Sequence, residues 1–118
     1  KRREIWDFYH KTFQDLESTK KIKRPIVPEN IFHNGHIYYI LLSSNRKRDE
    51  FIESMKSKGV HCVFHYSPLH SSKIGKQLGR MSGDLSITDD ISSRLVRLPI
   101  WLGIDQIKVS QCVRDSLT

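Results

Sequence analysis

The chain has 118 residues, a net charge of +7 and two cysteines. This length fits one domain with one apolar core, no apolar run approaches the roughly 20 residues of a membrane helix, and two cysteines are too few for a disulfide framework. We therefore expect a cytoplasmic protein that has neither a signal peptide nor a membrane segment.

The positive charge falls in three clusters, at residues 1–3, 20–24 and 46–48. A basic protein attracts anions, so nucleic acid and a sugar nucleotide diphosphate are both candidate partners. The clusters lie far apart in the sequence and carry no nucleic-acid-binding motif, which favours a solvated basic surface. A free-standing nucleic-acid-binding module stays open as an alternative at this point.

The first 32 residues predict a helix followed by a linker. Apolar side chains recur at helical spacing over residues 1–17 and form one stripe, which consists of Ile5, Phe8, Tyr9, Phe13 and Leu16. Residues 18–32 contain Pro25 and Pro28 with lysines between them, a composition that predicts an extended segment. Residues 33–118 are then the domain itself.

The next three elements are a strand, a helix and a strand. Residues 36–42 are rich in β-branched and aromatic residues and predict the first strand. Asn45 is a suitable cap for a helix over residues 46–58, and Gly59 suits its C-terminal end. Its buried side is expected to consist of Phe51, Ile52 and Met55. Residues 60–66 predict the second strand.

The last third predicts a loop, a helix, a strand and a final helix. Residues 67–87 predict a mobile loop with one short helical turn, after which Thr88 is expected to cap a helix through residue 94. A third strand over residues 95–100 ends at Pro99, and Asp105 caps the last helix, with Ile104 and Val109 fitting a hydrophobic staple. The side chains expected to face inward are Ile91, Leu95, Val109, Val113 and Leu117, with Cys112 beside them. The fold class is α+β, a mainly antiparallel sheet of about three strands with helices on one face.

The residues best suited to binding chemistry stand where the second strand gives way to a proline turn. His65, Tyr66 and His70 surround Pro68, and their side chains offer donors and acceptors to sugar hydroxyls and phosphate oxygens. Asn34 and His36 are second candidates. The alternative is structural, with Tyr66 packing on the strand end and His65 bonding a loop carbonyl.

Two other kinds of chemistry fit the sequence poorly. His61 and His65 would lie about 13 Å apart along a strand, too far for two ligands of one zinc ion, so no metal site is predicted. Cys62 points away from His61 on a strand, because adjacent residues face opposite sides. A buried structural cysteine is the simpler interpretation.

The run His65-Tyr66-Ser67-Pro68-Leu69-His70 resembles a segment in the small C-terminal domain of the DegT/StrS sugar-nucleotide aminotransferases, which use pyridoxal phosphate (PLP). Residues 33–40 are similar to that domain's first strand, and residues 94–99 to its late L-x-L-P element. Arg3, Trp6 and Tyr9 match the helix that leads out of the family's large domain. Within the family, these residues are most similar to those of the enterobacterial-type members that aminate a thymidine-diphosphate-linked 4-keto-6-deoxy sugar.

The resemblance implies the small-domain fold of fold-type I PLP transferases, with residues 1–32 leading from an absent large domain. It also implies that His65, Tyr66 and His70 face a nucleotide sugar, that glutamate donates the amino group, and that the whole enzyme is a homodimer. The Schiff-base lysine belongs to the large domain, so neither Lys73 nor Lys76 takes that role and the isolated chain is expected to be inactive. A protein-interaction module, docking through the aromatic first helix, is the remaining alternative.

Overall fold

A computed structural model describes residues 1–118, with helices packed on one face of a three-stranded antiparallel sheet. The predicted α+β class is confirmed. The elements in chain order are α1 (Arg2–Thr12), α2 (Gln14–Ser18), β1 (Tyr38–Leu41), α3 (Asn45–Ser57), β2 (Val63–Phe64), a 3-10 helix (Leu69–Ser71), α4 (Lys73–Leu78), α5 (Ser86–Arg94), β3 (Leu95–Leu98) and α6 (Gln106–Ser116). None of the helices combines the length and the apolar character needed to span a membrane.

The last strand in sequence lies at the centre of the sheet. The strand order is β1-β3-β2, and both outer strands run antiparallel to β3. Tyr38 and Ile40 of β1 oppose Leu98 and Val96, and all four are buried, because opposed residues point to the same face. The alternate residues are only half-buried, so one face of the sheet carries the core and the other is partly open.

The first helix belongs to the core. Tyr9, Phe13 and Tyr38 are fully buried and form an aromatic cluster. The centroid of the Tyr9 ring lies 5.8 Å from that of Phe13 and 5.4 Å from that of Tyr38. Trp6 extends the cluster, and its indole Nε1 donates to the carbonyl of Ile37 at 3.0 Å. The helix therefore packs as part of this domain.

Two buried tyrosines in this cluster differ in their hydrogen bonding. We therefore expect their replacement by phenylalanine to affect the free energy of unfolding differently. The Tyr9 hydroxyl donates to the Pro99 carbonyl at 2.9 Å, whereas the Tyr38 hydroxyl has no partner. We expect Tyr9→Phe to lower the free energy of unfolding by about 1–3 kcal/mol, because a buried carbonyl loses its donor. Tyr38→Phe is the matched control and should be neutral or stabilising. Urea unfolding of the two variants checks this, and equal losses would contradict it.

Several predicted helix boundaries were wrong. The helix predicted over residues 1–17 divides at Phe13, whose φ of −93° and ψ of 9° end α1 and begin α2. Ser44, not Asn45, caps α3: its backbone is extended, and its Oγ accepts from the amide of Lys47 at 3.1 Å. Asn45 instead donates from Nδ2 to the carbonyl of Ser93. Either residue type can cap, so only the backbone conformation decides between neighbours.

The strands are shorter than predicted, for reasons that lie in β3. The register places His61 opposite Pro99, which has no N–H to donate, so β2 contains only Val63 and Phe64 of the predicted 60–66. At the other end, β3 begins directly after α5 and stops at Leu98 rather than at residue 100. The first strand likewise covers Tyr38–Leu41 of the predicted 36–42.

The stretch predicted as a loop holds more helix than expected. It contains the 3-10 helix and α4, and α5 begins at Ser86 without a side-chain cap, so Thr88 lies inside that helix. Ile91 and Leu95 are half-buried rather than core residues, because α5 packs against α3 at the margin of the domain. The last helix agrees with its prediction, since Asp105 Oδ1 accepts from the amide of Lys108 at 3.0 Å and Val109, Cys112 and Val113 are buried.

Candidate functional site

Residues 67–82, here called the arm, leave the end of β2 and return toward α5. Ser72 caps α4, with its Oγ accepting from the amide of Gly75 at 3.0 Å. Gly75 lies so close to the 3-10 helix that a Cβ placed on it would be 1.6 Å from the Leu69 carbonyl oxygen. The absence of a side chain at this position lets α4 pack on the turn that carries His70.

One side-chain pair links the arm to the rest of the domain. His70 Nε2 lies 2.8 Å from Asp89 Oδ1 of α5. The other hydrogen bonds of the arm, including those of Ser71, Ser72 and Gly79, all stay within it. The His70 side chain is only 17% exposed, whereas that of Asp89 is 55% exposed. The Asp89 carboxylate therefore contacts the mostly buried His70 ring on its solvent-facing side. Asp89 therefore fixes the orientation of the His70 ring.

His70 is one of the residues that line a cavity of about 640 Å³. The positively charged side chains on its wall are Lys76 and Arg80, and none of the lining residues is acidic. The remaining lining residues are Leu69, Gly75, Gly79, Met81, Ser82 and Leu85. The arm and Leu85 thus line an open cavity with a positive wall on the same segment that carries His70.

His65 and Tyr66 stand at the base of the arm. Tyr66 is 77% exposed, and its ring lies 5.0 Å from the His65 ring, centroid to centroid, in a tilted contact. His65 is half-buried, and its Nδ1 is shielded without a hydrogen-bond partner. The structure therefore places His65, Tyr66 and His70 on one continuous segment, with an aromatic face and a hydrogen-bonding ring free of core packing.

Asn34 and His36 lie at the opposite end of the sheet. Asn34 Oδ1 accepts from the amide of His36 at 3.0 Å, and His36 Nδ1 lies 3.0 Å from Arg2 Nη1. His36 precedes Ile40 by four residues, whereas His65 is one residue beyond the level of Ile40 in the parallel-running β2. Five residues of strand rise separate the two histidines by about 17 Å along the sheet. The structure therefore keeps Asn34 and His36 apart from His65 and Tyr66.

The two cysteines are structural. Cys62 and Cys112 are buried and unpaired. Burial raises the pKa of the Cys62 thiol to about 12, with a smaller contribution from Cys112. The thiolate is the nucleophilic form, so Cys62 has none available at neutral pH. No three His, Cys, Asp or Glu side chains are arranged to hold a metal ion.

This burial predicts that the native chain resists thiol reagents. At pH 8 we expect the folded protein to react with a disulfide reagent at least about 100-fold more slowly than the urea-unfolded protein, in which both thiols react. Stopped-flow absorbance measures both rates. Rapid modification of one thiol in the folded state, identified by peptide mass as Cys62, would contradict the structural role.

The lysines of this chain lie at or near the surface. Every lysine is exposed except Lys58, which is half-buried and donates to Ser54. Lys76 is the lysine of the arm cavity, and that cavity contains no carboxylate to hold a pyridinium nitrogen.

Sequence reasoning missed three residues of this site. Asp89 is 19 residues from His70, and no short-range spacing connects a helical carboxylate to a ring in a distant turn. Lys76 and Arg80 had been part of a stretch predicted as a loop. The one available signal was that both cations follow the histidine motif within ten residues.

Comparison with known proteins gives consistent matches over nearly the whole chain. The model of the DegT/DnrJ/EryC1/StrS aminotransferase family matches residues 1–116. The dTDP-3-amino-3,4,6-trideoxy-alpha-D-glucose transaminase of Micromonospora megalomicea subsp. nigra is 25% identical over an alignment of 123 positions, which covers 99% of this chain and 32% of that protein.

Solved structures share the fold. DesV of S. venezuelae superposes with a TM-score of 0.84 at 19% identity, over 98% of this chain and 31% of its own. A DegT DnrJ EryC1 StrS aminotransferase from Brucella abortus gives a TM-score of 0.79 at 24% identity, over 97% of this chain and 30% of its own. The chain spans about a third of the length of the relatives it matches.

Proposed function

The chain belongs to the DegT/DnrJ/EryC1/StrS aminotransferase family, and from that membership we propose that it acts as the small domain of a sugar-nucleotide aminotransferase. The members of this family are PLP-dependent aminotransferases. In this proposal residues 1–32 lead from a large domain that supplies the cofactor lysine and the phosphate site, and their first helix packs on the core of the domain formed by residues 33–118. Coverage of about a third of each relative supports a large domain outside these residues.

The proposed substrate is a thymidine-diphosphate-linked 4-keto-6-deoxy sugar that receives its amino group from glutamate. A curated relative whose name specifies a dTDP-linked amino sugar supports the nucleotide. The motif at residues 65–70 is similar to that of the enterobacterial-type enzymes of lipopolysaccharide and common-antigen synthesis. Those enzymes place the amino group on carbon 4 of the sugar, and the similarity favours the same position here. The complete enzyme would be a cytoplasmic homodimer.

The observation that carries the proposal is the placement of the motif on a segment that core packing leaves free. Tyr66 presents an exposed ring that can lie against the face of a sugar or base. His70, oriented by Asp89, keeps Nδ1 without a hydrogen bond and is suited to bind a substrate oxygen. His65 supports the Tyr66 ring through their tilted contact. In this role the three residues bind and orient the nucleotide sugar, and the chain supplies no proton-transfer lysine.

An amination assay tests the proposal. The native polypeptide that carries this sequence is incubated with PLP, glutamate and a thymidine-diphosphate 4-keto-6-deoxy sugar, and mass spectrometry detects the product while NMR assigns the aminated carbon. We expect an amino sugar from the native polypeptide and none from the 118-residue chain. Amination by the 118-residue chain alone, or a native polypeptide that ends with these residues and contains no large domain, would contradict the proposal.

A further inference from the structure

The wall of the arm cavity carries positive charge that no acidic group of the chain compensates. Lys76 and Arg80 line the cavity beside His70, and neither forms an ion pair or a side-chain hydrogen bond. Most other arginines of the protein are paired; Arg24, Arg94 and Arg114 each hold a carboxylate oxygen within 3.0 Å. Two unpaired cations on one concave surface raise the local concentration of anions.

The acidic residues near the arm are already occupied. Asp84 accepts from the amide of Ser86 at 2.9 Å and from its hydroxyl at 3.1 Å. Asp89 is bound to His70 Nε2. Neither residue lines the cavity, so Lys76 and Arg80 leave two formal positive charges on its wall.

The size and chemistry of the cavity fit a phosphorylated ligand. A volume of about 640 Å³ lies within the range of pockets that take small molecules. Gly75 and Gly79 contribute no side chains to its wall and leave that volume open. Arginine and lysine are the side chains that bind phosphate oxygens, and Lys76 and Arg80 supply those donors on this wall.

We propose that the arm cavity is a binding site for a phosphate or diphosphate group, with Lys76 and Arg80 as its charged ligands. The assignment of this group to the diphosphate of the nucleotide sugar rests on the proposed function. The site itself rests only on the unpaired cations, the cavity and the occupied acids of this chain.

Titration of the isotope-labelled chain at constant ionic strength tests the site. Inorganic pyrophosphate and thymidine diphosphate should shift the amide resonances of residues 69–85, and thymidine should not. The double variant Lys76→Gln/Arg80→Gln should bind pyrophosphate at least about tenfold more weakly, because both charged ligands are lost. The control variant Lys56→Gln/Lys108→Gln removes the same charge from two exposed helix positions and should change the affinity by less than about twofold.

Equal weakening in the two double variants would overturn the site, and so would shifts centred on residues 20–24 or 46–48. Binding of thymidine as tight as that of thymidine diphosphate would also overturn it. The proposed function has a separate outcome. Arm-specific pyrophosphate binding without amination by the native polypeptide would leave the site and remove the function. An unchanged KM for the nucleotide sugar in an active Lys76→Gln/Arg80→Gln enzyme would leave the proposed function in place and overturn the site.

Discussion

Replacing His70 with alanine is expected to lower kcat/KM for the nucleotide sugar by about 10- to 100-fold in the complete enzyme, because a substrate hydroxyl left without its hydrogen-bond partner costs about 1–3 kcal/mol. His70 is the one residue that both belongs to the histidine motif and is held in orientation by a carboxylate. The visible absorbance of bound PLP should not change, since no cofactor contact is assigned to this chain. Steady-state kinetics and the absorbance spectrum measure the two effects separately.

The matched control for this variant is His61→Ala. His61 is exposed, lies four residues before His65 and takes part in no hydrogen bond between side chains. Its replacement should leave kcat/KM within about twofold of the unmodified enzyme, as is usual for surface positions. Asp89→Asn should produce a smaller loss than His70→Ala, because the ring remains but loses the charge that orients it. Loss of the PLP absorbance in His70→Ala would contradict the assignment and place His70 at the cofactor.

The second large effect is expected from Gly75→Ala. Alanine favours helix over glycine by about 1 kcal/mol, so propensity alone predicts a more stable α4. The added Cβ would nevertheless lie 1.6 Å from the Leu69 carbonyl oxygen and 2.8 Å from Ser72 Oγ, and α4 must therefore move away from the 3-10 helix. We expect the amide resonances of residues 67–82 to shift or broaden, together with loss of the His70–Asp89 hydrogen bond.

The rest of the domain should tolerate this change. The arm makes one hydrogen bond to the remainder of the chain, and the core residues of the sheet, α1, α3 and α6 lie outside it. The resonances of β1 and β3 should stay in place, and the denaturant midpoint should move little. Ile74→Ala, at an exposed position of the same helix, is the control and should leave the arm unchanged. Arm resonances that Gly75→Ala does not alter would show that α4 does not pack on the turn.

The apolar periodicity of the chain was sufficient for the fold class and for most of the core. Tyr9, Phe13, Phe51, Met55, Val109 and Val113 were all predicted to face inward and are buried. Boundaries were less predictable, because they depend on which of two adjacent residues adopts the extended cap conformation, as at Ser44 and Asn45, and on the absence of an N–H opposite His61. Neither effect has a local sequence signature.

The candidate site was predictable only as a linear motif. His65, Tyr66 and His70 could be identified because proline and strand patterns place them at a strand end. The Asp89 partner and the Lys76 and Arg80 cavity depend on how the arm folds back on itself. That geometry follows from the contact between Gly75 and Leu69, a steric feature that the sequence shows only as one glycine among six.

Photoaffinity labelling tests the central claim, that this chain faces the nucleotide sugar of an aminotransferase, most directly. The native enzyme is irradiated with a photoreactive thymidine-diphosphate sugar, and the modified peptides are mapped by mass spectrometry with unlabelled substrate as competitor. We predict competable labelling within residues 65–85. Competable labelling that lies entirely outside residues 1–118, in an enzyme that aminates the same sugar, would contradict the claim.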